Sequence, residues 1–186
     1  MIFTHDTEVA LQAAAALVNT LDDTGEHLTV QSLDAFVNEW GWTGERRRDE
    51  AELAAVRRLR PRLRQLWAMP RDEVVDLVNH MLREARALPQ LVKHDHWDYH
   101  LHATPDNAPL ATRMAVEAAM ALIDVIRADE LSRLRICDYL GCGNVVVDLS
   151  KNRSKRYCDN GCGNRSAVAA YRARQRESVS EQGIGD

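Results

Sequence analysis

All four cysteines of this 186-residue chain lie within one stretch near its C-terminal end. They form two close pairs, Cys137 with Cys142 and Cys158 with Cys162, separated by fifteen residues. Such pairs are typical of a tetrahedral thiolate site, and zinc suits that site because it accepts four sulfurs and has no redox chemistry. The alternatives are two disulfides, which require an exported protein, or four unrelated buried thiols. The spacing predicts one structural zinc ion with no open catalytic position.

The residues around the cysteines predict how this zinc site is built. Glycines flank the second cysteine of each pair and allow the backbone to turn tightly around a metal. Residues 145–149 are β-prone, and residues 155–157 are expected to form the return strand after a turn. A helix is expected from Gly163 to Arg176. The segment is therefore predicted to be a treble-clef-like zinc finger whose closing helix carries the last cysteine in its first turn.

Two segments resemble known families. Cys162-Gly163-Asn164-Arg165 is the motif that names the CGNR zinc finger family, and VVVDLSKNRSKRYCDNGCGNRSAVAAYRARQR resembles that family along its whole length. Leu17-Val18-Asn19-Thr20-Leu21 resembles the all-helical ABATE domain that precedes this finger. The resemblance implies a bacterial stress-induced transcription regulator that binds DNA. We expect an ABATE-like domain over 1–130, the finger over 131–177 and a disordered tail over 178–186.

The net charge of −4 hides a division of the chain. Residues 131–176 contain 10 Lys and Arg against 3 Asp and Glu, whereas residues 1–130 contain 14 against 22. A basic module joined to an acidic body indicates that the module binds a polyanion such as double-stranded DNA. The alternative is a solvated tail on a small finger.

The closing helix and the turn before it carry the residues expected to contact DNA. At about 100° per residue, Arg165, Arg172 and Arg176 fall within roughly 40° of one another. An arginine stripe suits phosphates or guanine edges, and the alanines and Tyr171 on the other side are expected to pack on the finger. The full expected set is Arg165, Arg172, Arg176, Lys151, Arg153, Lys155 and Arg156. Asn164 and Arg165 could instead brace the zinc site by hydrogen bonds.

Upstream of the finger the pattern is helical, which predicts a mainly α fold with one small β-hairpin. Helices are expected over 6–20, 32–40, 49–69, 70–88 and 110–128, with a loop over 21–27. Pro61 is expected to kink or interrupt the third helix. The arginines between residues 57 and 64 could form a nucleic-acid patch, although the solvated face of an amphipathic helix explains them more simply.

Residues 89–104 depart from the helical pattern. The even positions hold His94, His96, Asp98, His100 and His102, whereas Trp97, Tyr99 and Leu101 alternate with them. On a strand these sets point to opposite faces, so we expect one packed apolar face and one face of four imidazoles. The imidazoles could bind a second metal ion or an anionic ligand, or they could form the wet face of an edge hairpin.

Several classes are not expected. No apolar run approaches the roughly 18 residues of a membrane helix, and no signal peptide pattern is present, so we expect a cytoplasmic protein with reduced thiols. Nucleotide-binding and hydrolase motifs are absent from the sequence, so an enzyme is not expected. The first interpretation is a DNA-binding regulator whose acidic body forms a homodimer or binds a small-molecule effector. The alternatives are a protein- or RNA-interaction module, or a small-molecule enzyme or sensor that uses the histidine row.

Overall fold

The computed structural model describes residues 2–20, 28–94 and 97–182, so the expected loop over 21–27 and His96 lie outside the described residues. The helices are α1 (His5–Val18), α2 (Val30–Glu39), α3 (Glu50–Gln65), α4 (Arg71–Glu84), α5 (Leu110–Arg127) and α6 (Cys162–Gln182). This confirms the expected mainly helical fold. Helix α6 ends at Gln182 rather than at Arg176, and residues 183–186 of the expected tail lie outside the described residues. None of these helices combines the length and apolarity needed to cross a bilayer.

Local capping chemistry explains where two of the helices begin. The Thr29 hydroxyl accepts from the Ser32 amide at 3.1 Å while Ser32 Oγ accepts from the Thr29 amide at 2.7 Å, a capping box at the start of α2. Asp49 caps α3 by accepting from the Glu52 amide at 2.8 Å. Helix α3 then continues through Pro61 without the expected interruption. Because the leucines on either side of this proline are buried, packing outweighs the lost backbone hydrogen bond.

Helix α5 is the centre of the helical body. It contacts α1, α3 and α4, and its apolar stripe is buried as the sequence predicted. Leu122 and Val125 are fully buried, and burial of each such side chain contributes about 1.5–3 kcal/mol. The other helices of the body are therefore arranged around this one.

The arginines between residues 57 and 64 hold the body together. Arg57 donates to the carbonyl of Leu28 at 2.6 Å, and buried Arg60 donates to the carbonyl of Thr20 at 3.0 Å. Arg62 pairs with a glutamate of α4 at 2.7 Å. These contacts assign three of the five arginines of the run to the packing of the body.

Two antiparallel hairpins complete the fold. They are formed by β1 (Gln90–His94) with β2 (Trp97–His102) and by β3 (Leu134–Ile136) with β4 (Val145–Val147). The expected return strand over 155–157 does not form, and β4 pairs instead with the strand that precedes the first cysteine. The reason is local, because the Lys155 amide donates to the side chain of Asp148 at 3.0 Å rather than to a neighbouring strand.

In the first hairpin, the two faces of β2 are oriented opposite to the expectation. Tyr99 is 70% exposed and Leu101 is 44% exposed, whereas His100 and His102 are half-buried. The expected packed apolar face is therefore wrong, since β2 directs its histidines toward the body and its apolar residues outward. His94 lies on the other strand, opposite Trp97, so the histidines do not form one continuous row.

Strand β4 is shared between two cores. Val145 and Val147 belong to the large core of the helical body, whereas Val146 belongs to the small core around the cysteines. Asn19, at the end of α1, accepts from the Val145 amide at 2.8 Å and donates to its carbonyl at 2.9 Å. The Trp67 indole donates to the carbonyl of Val146 at 3.0 Å. The finger is thus joined to the body by both apolar packing and hydrogen bonds.

Replacing Asn19 by alanine should lower the free energy of unfolding by about 2 kcal/mol, because both backbone groups of Val145 lose their partner in a partly buried place. Urea denaturation followed by circular dichroism measures the change. Gln12→Ala, at an exposed position of the same helix, is the control and should change it by less than about 0.5 kcal/mol. Equal denaturation midpoints for Asn19→Ala and the parent would show that this pairing does not hold β4.

Candidate metal centre

The four cysteine sulfurs converge at one point of the finger. All four Sγ atoms lie within 4.8 Å of one another, with Cys142 to Cys158 at 3.8 Å and Cys158 to Cys162 at 3.5 Å. A tetrahedron with metal–sulfur bonds of about 2.3 Å has edges of about 3.8 Å, so the set fits one zinc ion. The cysteines are free thiols, which excludes the disulfide alternative. The expected four-cysteine site for one structural zinc is confirmed.

Each cysteine pair is closed by a glycine in the left-handed conformation. Gly141 has φ +79° and Gly161 has φ +75°, and each directly precedes the second cysteine of its pair. Residues with a Cβ rarely adopt this backbone conformation, which here reverses the chain so that both sulfurs of a pair face one point. Cys162 then begins α6, so the last ligand lies in the first turn of the closing helix, as expected.

Several N–H groups point at the sulfurs. The Asn144 amide side chain donates to Cys158 Sγ at 3.4 Å, and the Cys158 backbone amide donates to Cys137 Sγ at 3.3 Å. The Arg165 guanidinium donates to Cys162 Sγ at 2.9 Å. Such second-layer donors orient metal ligands and stabilise their charged form.

The thiols differ in acidity before metal binds. Burial opposes ionisation of Cys158, but hydrogen bonds from the Asn160 backbone amide and the Asn144 side chain lower its pKa to about 7. Burial and the neighbouring thiols raise the pKa of Cys162 to about 12. Zinc must therefore displace protons from the site, and its affinity should fall as the pH is lowered.

Arg165 is held at the metal centre. Besides its bond to Cys162, its guanidinium lies 5.2 Å from the centroid of the Tyr139 ring. The hydrogen bond to Cys162 raises the pKa of Arg165, so the side chain remains a cation beside the thiolates. These contacts match the bracing alternative for Arg165. Asn164 makes no comparable side-chain contact within the described residues.

Two buried charged residues that the sequence analysis missed organise the loop between the cysteine pairs. Asp148 is fully buried and accepts from the backbone amides of Ser150 at 2.9 Å and Lys155 at 3.0 Å. Arg133 donates to the carbonyls of Asp148 at 2.9 Å and Ser150 at 3.0 Å. An aspartate followed two residues later by serine at a strand end is a turn signal that could have identified Asp148.

The remaining basic residues of the finger divide into two groups. Ion pairs join Arg153 to Glu130 at 2.8 Å, Lys155 to Asp159 at 3.1 Å and Arg156 to Asp138 at 2.8 Å. Within the part of the chain that the structure describes, no ion pair engages Lys151, Arg172 or Arg176. The second group is therefore available to a partner without breaking an internal contact.

Helix α6 projects from the finger. The Tyr157 hydroxyl lies 2.8 Å from Ser166 Oγ in its first turns, but side chains 167–176 are all exposed. Tyr171 is 57% exposed, so the expected packing of this face on the finger is wrong. The helix has a low apolar content, and it is tied to the finger at its N-terminal end by the cysteine and arginine contacts.

Of the expected histidine row, His100 and His102 come together on β2 with their Nε2 atoms 3.0 Å apart. His94 lies on β1, and His96 lies outside the described residues. The pair borders a cleft in the helical body, away from the cysteines.

Replacing Cys158 by serine should release the zinc, because three thiolates and a hydroxyl hold it far less tightly. Metal analysis after dialysis should find one zinc per parent chain and none in the variant, while the circular dichroism of the helical body persists. Asp159→Asn, at the neighbouring exposed position, should retain the full zinc content. Full zinc content in Cys158→Ser would contradict the four-thiolate assignment.

Replacing Arg165 by glutamine should keep one zinc per chain but lower its affinity by about 10- to 100-fold, because the cation beside Cys162 is lost. Competition with a chromogenic chelator measures this affinity. Arg174→Gln, the same change at an exposed position farther along the helix, should leave it unaltered. Equal zinc affinities of the Arg165→Gln and Arg174→Gln variants would show that Arg165 does not brace the zinc site.

The chain matches two family descriptions. Residues 133–175 match the CGNR zinc finger, and residues 11–129 match the ABATE family, which is described as "putative stress-induced transcription regulator". No curated protein matches the chain. Because the second match spans more than half of the sequence and the finger follows it directly, this protein belongs to the ABATE family and carries a C-terminal CGNR zinc finger.

Proposed function

We propose that this protein is a zinc-containing, DNA-binding transcription regulator that contacts DNA through α6. The observation that carries this is the projecting helix with Arg172 and Arg176 on one face, both exposed and without an ion pair in the described residues. A rigid helix that presents guanidinium groups suits the phosphates and guanine edges of a major groove. The family description supports a regulator in coarser terms.

Zinc has a structural role in this proposal. Four thiolates fill its tetrahedral coordination and leave no position for a substrate or an activated water. The metal centre would fix the angle at which α6 leaves the finger, because Cys162 and Arg165 both lie in the first turn of that helix. We therefore propose a binding function for the finger and not catalysis.

The basic residues of the finger are expected to contribute unequally to DNA binding. Arg172, Arg176 and Lys151 would contact DNA directly. Arg153 and Arg156 are more than half exposed although each is paired with a carboxylate. Exposed pairs of this kind are worth about 0–1 kcal/mol, so a phosphate can replace the carboxylate at small cost. Arg165 would act through the zinc site instead.

One finger covers too little DNA surface for strong specificity. We therefore propose that the acidic body forms a homodimer and presents two α6 helices to a repeated site. The charge division supports contact through the fingers alone, because residues 1–130 carry 22 acidic against 14 basic residues and would be repelled by the duplex.

Single replacements of Arg172 and Arg176 by alanine should each lower the slope of log affinity against log salt by about 0.9, the value for one lost phosphate contact. Fluorescence anisotropy with a labelled duplex over a salt series measures the slope. Thermal stability should be unchanged, because both side chains are exposed and unpaired in the described structure.

Arg174→Ala is the matched control, because it removes the same charge from the same helix but about 180° away from the other two arginines. A smaller effect of Arg174→Ala is expected. Equal effects of all three single variants would indicate non-directional electrostatic attraction. If the double variant Arg172→Ala with Arg176→Ala binds the duplex as the parent does, α6 is excluded as the DNA-contacting element.

A protein-interaction module is the second candidate, and one observation favours it. Val168 and Tyr171 are 47% and 57% exposed on α6, beside the arginine face. Absence of duplex binding at low salt would favour this candidate. Binding of single-stranded RNA in preference to the duplex would indicate the RNA alternative.

A further inference from the structure

The cleft between β2, α1 and α5 gathers imidazoles and carboxylates inside the acidic body. His100 and His102 of β2, Asp6 of α1 and Glu117 of α5 all lie where a small cavity of ≈ 70 Å³ meets a larger cleft of ≈ 680 Å³. The hairpin directs its histidines to this place while Tyr99 and other apolar side chains remain exposed. Hydrophobic burial alone favours the reverse arrangement, and departures of this kind are typical of binding sites.

The two imidazoles are hydrogen-bonded to each other through their Nε2 atoms. Their Nε2 atoms lie 3.0 Å apart, and the ring planes are inclined by 71°. Two nitrogens bound to one divalent transition metal at about 2.0–2.1 Å lie about 3 Å apart when the angle at the metal is near a right angle. The observed hydrogen-bonded separation equals that of two ligands on one ion, so an ion that replaces the shared proton needs no change in this separation.

A hydrogen bond on His100 selects the nitrogen that would bind. Its Nδ1 lies 2.8 Å from the carbonyl oxygen of Asp98, and a carbonyl can only accept, so the proton lies on Nδ1. Nε2 then carries the lone pair and accepts the hydrogen bond donated by Nε2–H of His102, whose proton a metal ion would replace. A histidine whose other ring nitrogen donates to a backbone carbonyl is the common arrangement at metal sites.

Carboxylates of the right kind border the pair. Asp124 accepts from the Thr7 hydroxyl at 2.6 Å and Asp98 pairs with Lys93 at 3.0 Å, so these two are already engaged. Asp6 and Glu117 make no hydrogen bond or ion pair with any residue that the structure describes. A cation would satisfy both of them.

The electrostatics of Glu117 support the same view. Burial raises its pKa to about 7, although the charge of Arg113 opposes the shift. The side chain is surrounded by protein, and the surface it retains borders the two cavities. A divalent cation nearby would stabilise the carboxylate and reverse this shift.

We infer that this cleft is a second metal site, in which His100 and His102 bind a divalent transition metal and Glu117 or Asp6 completes the protein ligands. Two imidazoles and a carboxylate suit zinc, nickel or iron better than calcium or magnesium. The larger cleft would supply the remaining positions with water or a small anion. This site is chemically distinct from the cysteine centre and does not depend on DNA binding.

The third ligand requires a side-chain rotation. Within the described residues, the four cysteines form the one group in which three or more metal-ligand atoms already lie close together. The two Nε2 atoms already lie at the required separation, whereas a carboxylate must turn toward them. The metal ion would then link the hairpin to α1 or α5, since Asp6 and Glu117 lie on these helices.

The test is a calorimetric titration of the zinc-loaded protein with Ni²⁺, with zinc measured before and after to show that the cysteine centre is intact. One Ni²⁺ per chain should bind beyond the resident zinc. His100→Ala with His102→Ala should abolish this binding, and Glu117→Gln should weaken it about tenfold or more.

His80→Ala is the matched control, because the His80 side chain is exposed on α4 and lies outside the cleft. This variant should bind Ni²⁺ as the parent does. His102→Gln preserves side-chain size and replaces the double variant if that variant fails to fold by circular dichroism. Absence of Ni²⁺ and additional Zn²⁺ binding by the parent would overturn the inference. If folded His102→Gln binds Ni²⁺ as tightly as the parent does, or if His80→Ala loses as much Ni²⁺ binding as the cleft variant, the binding belongs to surface histidines. Either result would also overturn the inference.

Discussion

The alternation of one three-residue strand connects the two halves of this protein. Side chains of successive strand residues point to opposite faces, so Val145 and Val147 fill the helical core while Val146 fills the core around the cysteines. Asn19 and Trp67 bind the backbone of the same strand. A change in β4 would therefore disturb the large core and the metal centre together, and the finger is a rigidly seated part of the fold rather than a module on a flexible linker.

The metal centre depends on both local and long-range contacts. Its glycine turns and the N–H donors around the sulfurs are local, since they lie within the finger itself. Arg133 and Asp148 are long-range supports that bring the loop between the cysteine pairs back against the end of the body. A metal ion bound by the four sulfurs would join the two cysteine pairs, so metal binding is expected to be coupled to the ordering of the finger.

Helix α1 is common to the two candidate sites. Asp6, near its start, borders the histidine cleft, and Asn19, just past its end, holds β4. A metal ion held by Asp6 in the cleft would therefore bind the same helix whose C-terminal end holds β4. The basic charge of the finger is also partly neutralised by Asp138 of the finger and Glu130 of the body, which concentrates the free charge on α6 and restricts where a polyanion can bind.

Local features could be predicted from the sequence. Paired cysteines with adjacent glycines indicate a metal site, and the spacing of apolar residues indicates the buried stripe of α5. Three features depended on the tertiary structure. The partner of β4 and the inward face of the histidines result from packing between separate segments, and Arg165 is held by Tyr139 of the preceding loop as well as by nearby Cys162. Periodicity states which side chains share a face, but only packing decides which face is buried, because that choice depends on what the rest of the chain places opposite it.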